Sequence, residues 1–313
     1  MQNLKNFIIA FAVGLVMFSV LAAMIPRLLV QDNAKQPDSP GADTVDSDGE
    51  QTDTADSAPV IGGKTFTAVV GGYDADTGEL DGLLFLKADK ENKRFIVAAI
   101  PTALNVVVTS TDPATGTTVK TNVRMKDFPL RYRDSEKNQR IVDTVHALTG
   151  MEIDYYAFFK TSAALSLFEK TGGLYYTVPQ DMVYVGTGSE SNPEISLRAG
   201  GQVLNSKQIL GLLRFSVYST DERRNNARRA AVQADFVSEA LKQLLALDAQ
   251  TLLEGVTGVL AGCETNFTAA DFRENFELIS KFGEYSAASV VMTVDLADPL
   301  EYTYSQKLFE NYK

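Results

Sequence analysis

The chain of 313 residues has no tryptophan, one cysteine and one histidine. Cys263 has no second cysteine to pair with, so the sequence excludes an intrachain disulfide and a thiolate metal cluster. A single histidine likewise excludes a multi-histidine metal site. His146 lies within the helical pattern of 139–149 and Cys263 is a single small apolar residue, so we interpret both as structural side chains.

Charge is absent from a long apolar run near the start of the chain. Residues 7–25 contain no Asp, Glu, Lys or Arg and show no polar face. About 20 apolar residues match a hydrocarbon core of roughly 30 Å, so this run predicts a transmembrane helix. A cleavable signal peptide is the alternative, but its apolar region is shorter and a small-residue cleavage site would follow it. The positive residues flanking the run are nearly balanced and do not set its orientation.

The segment after this run has few apolar residues. Residues 31–57 carry eight acidic side chains and one lysine, a net charge of −7 out of −11 for the whole chain. Such a composition cannot bury enough apolar surface to offset chain ordering, which predicts a disordered acidic linker over 26–59. The acidity of the chain therefore reflects the linker, and it gives no reason to expect a nucleic-acid partner.

Residues 60–313 contain no second linker and predict one domain of mixed α and β structure. Apolar alternation predicts an antiparallel hairpin from 80–88 and 94–100, and strands at 153–159, 174–178 and 289–294. Helical periodicity predicts helices at 139–148, 162–170, 206–213, 221–247 and 268–282. The order of the elements predicts a layered α/β arrangement.

Four arginines crowd the first two turns of the helix predicted at 221–247, at positions 223, 224, 228 and 229. Cations are unfavourable at the positive end of a helix dipole. Guanidinium groups at that end are typical of a phosphate or other anion site. The alternative is a solvated face on which Glu222 and nearby acids neutralise the arginines.

Several ordered segments resemble the LytR–CpsA–Psr family, membrane-anchored proteins that attach glycopolymers to the bacterial cell wall. The resemblance spans about 72–245. It includes Leu148-Thr-Gly-Met-Glu-Ile-Asp-Tyr-Tyr156, which is similar to the family's LTGI-x-IDYY segment. It also includes Gly172-Gly173 through Val178-Pro-Gln-Asp-Met182, and 195–200 followed by 204–214.

The resemblance implies an α-β-α sandwich with a mixed central sheet, and an apolar interior that holds a polyprenyl chain. It further implies arginines and acidic residues that grip a pyrophosphate and Mg²⁺. The implied reaction transfers a phosphoglycan from polyprenyl pyrophosphate to peptidoglycan. It also implies a cytoplasmic tail at 1–6, a single-pass anchor in the cell membrane and an extracytoplasmic domain at 60–313.

Carried over residue by residue, the resemblance gives Asp81 and Arg214 as catalytic residues and Asp81 as the metal ligand. It gives a pyrophosphate-binding set of Arg214, Asp221, Arg224 and Arg228. The chain departs from the family at other positions. The family's Arg-x-Asp-Thr is Glu79-Leu-Asp-Gly82 here, its Pro-Arg-Asp-Thr is Pro101-Thr-Ala-Leu104, and its Arg-x-Arg is Arg214-Phe-Ser216.

Losing one transition-state donor costs about a hundredfold in rate, so these departures leave three hypotheses. The first is a divergent, Mg²⁺-dependent glycopolymer phosphotransferase. The second is a catalytically degenerate protein that still binds the lipid pyrophosphate. The third is a structural cell-envelope protein whose interior is filled by side chains such as Phe85, Phe158 and Phe159.

Overall fold

The computed structural model describes residues 65–111, 114–132, 134–189, 191–247, 251, 259, 262–279 and 281–290. The predicted tail at 1–6, transmembrane helix at 7–25 and acidic linker at 26–59 lie outside these residues. Within the described ranges, no helix is both long enough and apolar enough to span a bilayer.

Twelve strands are described. They are β1 Thr65–Tyr73, β2 Leu80–Asp89, β3 Arg94–Ala99, β4 Asn105–Thr111, β5 Thr118–Arg124, β6 Tyr155–Lys160, β7 Leu174–Val178, β8 Met182–Tyr184, β9 Ile195–Leu197, β10 Gly200–Leu204, β11 Glu264–Thr265 and β12 Ser286–Val290. The helices are α1 Phe128–Arg131, α2 Asp134–Thr149, α3 Thr161–Lys170, α4 Ser206–Arg214, α5 Glu222–Ala246, α6 Ala269–Glu274 and α7 Phe276–Ile279. Short 3-10 turns occur at Met125–Asp127 and Phe282–Glu284.

Six strands form a mixed central sheet in the order β11-β6-β1-β2-β3-β12. β1 is parallel to β6 and antiparallel to β2, while β3 is antiparallel to β2 and parallel to β12. The chain therefore leaves β1, β6 and β3 at the end of the sheet where β2 begins. We call this the Asp81 end of the sheet, because Asp81 is the second residue of β2.

Alternating side chains of the central strands pack into two cores, one on each face of the sheet. The first core receives the apolar faces of α3, α4 and α5. The second receives α1, α2 and the base of the β4–β5 hairpin. The mixed α/β fold with a mixed central sheet is confirmed, with helices on both faces.

Most of the predicted elements are present with boundaries within a few residues. The hairpin of β2 and β3 and the strand β7 are confirmed, as are α2 to α5, with α2 beginning five residues earlier than predicted. β12 extends the central sheet beside β3, so it is part of the main sheet.

The single helix predicted over 268–282 is wrong. The structure divides this segment into α6, α7 and a 3-10 turn, with the first break at Asn275. The Asn275 side chain is buried and donates to the Asp271 carbonyl oxygen at 2.8 Å. A local side-chain bond of this kind competes with continued helical hydrogen bonding.

Candidate functional site

The turn between β1 and β2 fixes a carboxylate at the Asp81 end of the sheet. Asp74 Oδ1 accepts the backbone N–H groups of Asp76 and Thr77 at 2.8 and 2.9 Å. Gly78, at φ 72°, allows the chain to fold back so that Asp74 N–H donates to the Glu79 carbonyl oxygen at 2.9 Å. The turn thus leaves Asp74 Oδ2 for a partner outside it.

That partner is Arg214, the last residue of α4. Its Nη2 lies 2.7 Å from Asp74 Oδ2 and 2.8 Å from Asp81 Oδ2, and its Nε donates to the same Asp81 oxygen at 3.0 Å. The Arg214 side chain is only 7% exposed. Its Nη1 is buried without a hydrogen-bond partner in the described part of the chain. A buried arginine N–H group without an acceptor costs free energy, so this atom is suited to donate to an acceptor on a ligand.

A second arginine reaches the same carboxylate from α5. Arg229 Nη2 lies 3.2 Å from Asp81 Oδ1 and donates to the Asp81 carbonyl oxygen at 3.2 Å. Its Nε donates to the Leu213 carbonyl oxygen at 2.9 Å, and Gln233, one turn later on α5, donates to the same oxygen at 2.9 Å. These bonds tie the end of α4, and therefore Arg214, to α5.

Two carboxylates and two guanidinium groups thus form one compact cluster. Thr161, at the start of α3, adds a hydroxyl that donates to Asp81 Oδ2 at 3.3 Å. Burial favours the neutral form of Asp74, but the Thr77 N–H group, the charge of Arg214 and the Asp76 N–H group outweigh it and lower the pKa of Asp74 below 3.8. The four charged groups, Asp74, Asp81, Arg214 and Arg229, are called the Asp–Arg cluster below.

An apolar cavity begins at the Asp–Arg cluster and runs between the sheet and the helices α3 and α5. Asp81, Thr161 and Gln233 line its polar end. Its volume is about 150 Å³, within about 1020 Å³ of unfilled space that includes open solvent at the mouth. The rest of its lining is apolar, with Leu84, Phe159, Leu167, Phe168, Leu213, Phe236, Val237, Ala240, Leu244 and Val259.

The aromatic residues proposed as pocket fillers do not close this cavity. Phe85 and Phe158 belong to the core on the opposite face of the sheet. Phe159 lines the cavity wall. The described cavity therefore remains open, which removes the reason for expecting a filled interior.

The predicted site residues fall into two groups. Asp81 and Arg214 meet directly in the Asp–Arg cluster. Asp221, Arg224 and Arg228 lie exposed at the start of α5, where Asp221 Oδ1 accepts the Arg224 backbone N–H at 3.2 Å. None of these three has a described contact with Asp81 or Arg214.

Sequence reasoning missed Asp74 and Thr161 as site residues, and it placed Arg229 in the arginine group at the start of α5 without assigning it to the pyrophosphate-binding set. Arg229 carried a readable signal, because it continues the helical spacing of the cavity-lining residues Gln233, Phe236 and Ala240 on the inner face of α5. Asp74 directly follows a buried strand, but its partner Arg214 lies 140 positions later in the sequence. No local sequence pattern therefore indicates the pair.

Asp74 and Asp81 are the carboxylates that could hold a metal ion. Among the described residues no group of three or more His, Cys, Asp or Glu side chains could hold one. Mg²⁺, however, is often held by one or two carboxylates with the remaining positions taken by substrate phosphates and waters. Asp74 and Asp81 converge on one Arg214 nitrogen, so their oxygens lie close enough together to share one cation, a position that the guanidinium takes in this structure.

Comparisons with known proteins agree with this architecture. The LytR–CpsA–Psr family model matches residues 41–308. An uncharacterized protein of Staphylococcus aureus is 26% identical over 95 residues, which is 30% of this chain and 23% of that protein.

Solved structures share the fold at low identity. A protein of Eubacterium siraeum described as a transcription regulator is 16% identical, with a TM-score of 0.58 over 86% of this chain and 97% of that one. Bacillus subtilis TagT is 18% identical, with a TM-score of 0.52 over 79% of this chain and 88% of that one. TagT is also similar in a structure bound to LIIa-WTA, at 15% identity and a TM-score of 0.52 over 80% of this chain and 88% of that one. Because the family model covers most of the sequence and the fold agrees, the chain belongs to the LytR–CpsA–Psr family.

Proposed function

We propose that this chain is a membrane-anchored, extracytoplasmic protein that binds a polyprenyl-pyrophosphate-linked glycopolymer and transfers its phosphoglycan to peptidoglycan. The observation that carries the proposal is an apolar cavity that ends at the Asp–Arg cluster. A polyprenyl pyrophosphate has the matching arrangement, a long apolar tail with a charged pyrophosphate at one end. The TagT structure bound to LIIa-WTA, a wall teichoic acid ligand, supports a glycopolymer as the substrate class.

In this proposal the cavity takes the polyprenyl tail and the cluster takes the pyrophosphate. The free Nη1 of Arg214 donates to a phosphate oxygen, which removes the unpaired buried donor. Arg229 holds Asp81 from the other side and keeps the end of α4 in place through Leu213. The apolar walls exclude water, which strengthens each charge interaction at the phosphates.

Asp74 and Asp81 would hold Mg²⁺, which supplies charge neutralisation at the pyrophosphate when it is bound. In the transfer, an acceptor hydroxyl oxygen forms a bond to the glycan-linked phosphorus while the bond to the polyprenyl phosphate breaks. The hydroxyl proton passes to water, and polyprenyl phosphate leaves. Arg214 stabilises the charge on the transferring phosphoryl oxygens, so Asp81 and Arg214 are the proposed catalytic pair.

Lipid binding without transfer is the second candidate. The segment Pro101-Thr-Ala-Leu104 lies beside Arg229, and it offers only Thr102 and Ala103 where the family has an arginine and an aspartate. A transferring phosphoryl group would therefore have fewer donors than in typical family members. This candidate keeps the cavity and the anion grip but has no turnover.

Two measurements on the full-length chain in detergent separate these candidates. Mass spectrometry of an organic extract reports bound polyprenyl phosphate or pyrophosphate. Release of polyprenyl phosphate from lipid-linked glycan in the presence of peptidoglycan and Mg²⁺ reports transfer. Asp81→Asn and Arg214→Ala test the cluster, with Asp143→Asn on α2 and Arg273→Ala on α6 as exposed controls outside it.

Bound lipid with turnover that falls at least about a hundredfold in both cluster variants supports the transferase. Bound lipid with no turnover above Asp81→Asn favours the second candidate. A folded wild-type chain that neither retains nor takes up polyprenyl phosphates contradicts both.

A further inference from the structure

A second groove lies beside the Asp81 end of the sheet and takes no part in the Asp–Arg cluster. It is formed by the β4–β5 hairpin and the segment that follows it, and its volume is about 710 Å³ including open solvent. Its lining combines two arginines, two asparagines, one aspartate and two aliphatic side chains: Arg124, Arg131, Asn105, Asn122, Asp127, Val123 and Leu130.

Among the described residues, no hydrogen bond or ion pair joins the polar side chains of the groove to one another. Arg124 and Arg131 are exposed, and neither guanidinium has an ion-pair partner in the described part of the chain. Asn105 faces Arg124 across the hairpin, so an amide and a guanidinium lie side by side. Leu130 is 60% exposed at the rim. Guanidinium forks and amides suit hydroxyl pairs and carboxylates, and an exposed aliphatic side chain suits the C–H face of a sugar.

Two connections place this groove next to the proposed reaction centre. Lys126 Nζ lies 2.9 Å from Glu79 Oε1, and the Glu79 carbonyl accepts the N–H group of Asp74. On the other side, the loop 101–104 joins β3 to the hairpin and borders Arg229. The groove is therefore one turn away from Asp74 and one loop away from Arg229.

The groove and the apolar cavity approach the cluster from opposite faces of the sheet. The cavity lies on the face covered by α3 and α5, whereas the hairpin base packs into the core on the other face. A transfer between two large substrates needs two separate binding paths that meet at the reacting groups. The lipid-linked donor fills the first path, and the groove offers the second substrate a separate path.

We propose that this groove binds the acceptor of the transfer, a glycan chain that presents hydroxyl groups and a carboxylate. The inference rests on the proposed function, because it assigns the second substrate of the same reaction. Arg124 and Arg131 bind the carboxylate, Asn105 and Asn122 bind hydroxyls, and Leu130 contacts a sugar face. These residues bind the acceptor and take no part in the chemical step.

The test measures binding of a soluble muropeptide, an amino-sugar fragment with lactyl and peptide carboxylates, to the full-length chain in detergent. The variant Arg124→Ala/Arg131→Ala is compared with Arg273→Ala, which removes an exposed arginine near the opposite end of the sheet. We expect at least about a tenfold rise in the muropeptide Kd for the double variant and no change for the control. Bound polyprenyl lipid stays at the wild-type level, and in the transfer assay the acceptor KM rises while kcat at saturating acceptor is retained.

A second variant guards against a folding defect in the first. Asn122→Asp changes the volume of the groove very little but places a negative charge beside the arginines, so it also weakens binding of the carboxylate-bearing fragment. Wild-type affinity in both variants overturns the groove assignment, as does a wild-type chain that binds no muropeptide. Missing lipid and missing turnover in a chain whose muropeptide binding still depends on Arg124 and Arg131 would instead contradict the proposed function alone.

Discussion

Arg214 separates two carboxylates that would otherwise face each other with little solvent. Arg214→Ala leaves Asp74 and Asp81 without their shared partner, and loss of one member of a buried ion pair costs about 3–5 kcal/mol. We expect the free energy of unfolding, measured by urea titration with Mg²⁺ absent, to fall by an amount in that range. Arg229→Ala should cost less, because Arg229 is 22% exposed and contacts only Asp81 of the two.

Arg273→Ala serves as the control for Arg214→Ala. Arg273 is exposed on α6 and should change the free energy of unfolding by less than about 0.5 kcal/mol. If Arg214→Ala were as mild as this control, the cluster would not be held together by the contacts described.

The lowered pKa of Asp74 makes part of the stability depend on pH. A carboxylate whose folded pKa lies below its unfolded value stabilises the fold above the unfolded pKa, here 3.8, and loses that contribution as pH falls through the folded pKa. We expect the free energy of unfolding of the wild type to decline more steeply below about pH 4 than that of Asp74→Asn. Equal slopes in urea titrations from pH 7 to pH 3 would show that Asp74 is not the group responsible.

The residues of the site were only partly predictable from the sequence. Arg214 ends a segment that resembles the family, and Asp81 is retained in a segment that departs from it, so both could be assigned to the site. Their direct pairing was not predicted. Asp74 could not be assigned, because it acquires its role from a partner 140 positions away. Arg229 belonged to a recognised group of four arginines, but the sequence did not distinguish it from the others as the one that faces Asp81. Arg224 and Arg228 satisfy the helical spacing rule, yet the orientation of α5 turns them to solvent and turns Arg229 inward.

At the scale of single elements, the N-cap of α4 stabilises the helix that ends at Arg214. Asn205 forms a capping box in which its side chain accepts the Gln208 N–H at 3.0 Å and Gln208 bonds back to the Asn205 N–H. Asn205→Ala should cost about 1 kcal/mol. Lys207 is exposed and takes no part in the capping box, so Lys207→Ala should be nearly neutral. Thermal unfolding of both variants distinguishes them.

The helix α5 supplies one wall of the apolar cavity, and a larger side chain there should displace the lipid. Ala240 lines the cavity and is nearly fully buried. In Ala240→Phe the ring occupies space that the tail requires, so we expect polyprenyl lipid per chain to drop at least about fivefold. Ala147→Phe, on the exposed side of α2, is the matched control. Unchanged lipid content in a folded Ala240→Phe protein would place the tail elsewhere.

Elements with strong periodicity were predictable, and those fixed by tertiary contacts were not. The alternation in Leu174–Val178 and the capping pair Asn205-Gln208 are local signals, and both elements occur where predicted. The β4–β5 hairpin was not predicted. Its outward face mixes Val107, Asn122 and Lys120, so the polar-apolar alternation that marks a half-buried strand is blurred.

For the whole molecule, the apolar run at 7–25 is the basis of the proposed membrane localisation. We expect the full-length chain to remain in the membrane fraction after alkaline carbonate extraction, because about 19 uncharged residues suffice to span a bilayer. A chain lacking 7–25 should appear in the soluble fraction. Carbonate-soluble full-length protein would contradict the proposed anchor and the localisation that depends on it.

The overall architecture followed from composition and element order, whereas the arrangement of the sheet did not. Alternating helices and strands over 60–313 gave the mixed α/β class. The placement of β12 beside β3, some 190 positions earlier in the chain, depends on packing between the sheet and α5 and is not encoded in either strand alone.

The Asp–Arg cluster contains two negative and two positive groups, so its formal charges cancel. A pyrophosphate that enters such a neutral, partly dry enclosure carries in a surplus of negative charge, and a cation entering alone carries in the opposite surplus. Each of these two ligands therefore lowers the electrostatic cost of binding the other, which is positive heterotropic linkage. If the cluster binds both as proposed, we expect the lipid donor and the divalent cation to raise each other's affinity by the same factor in both directions.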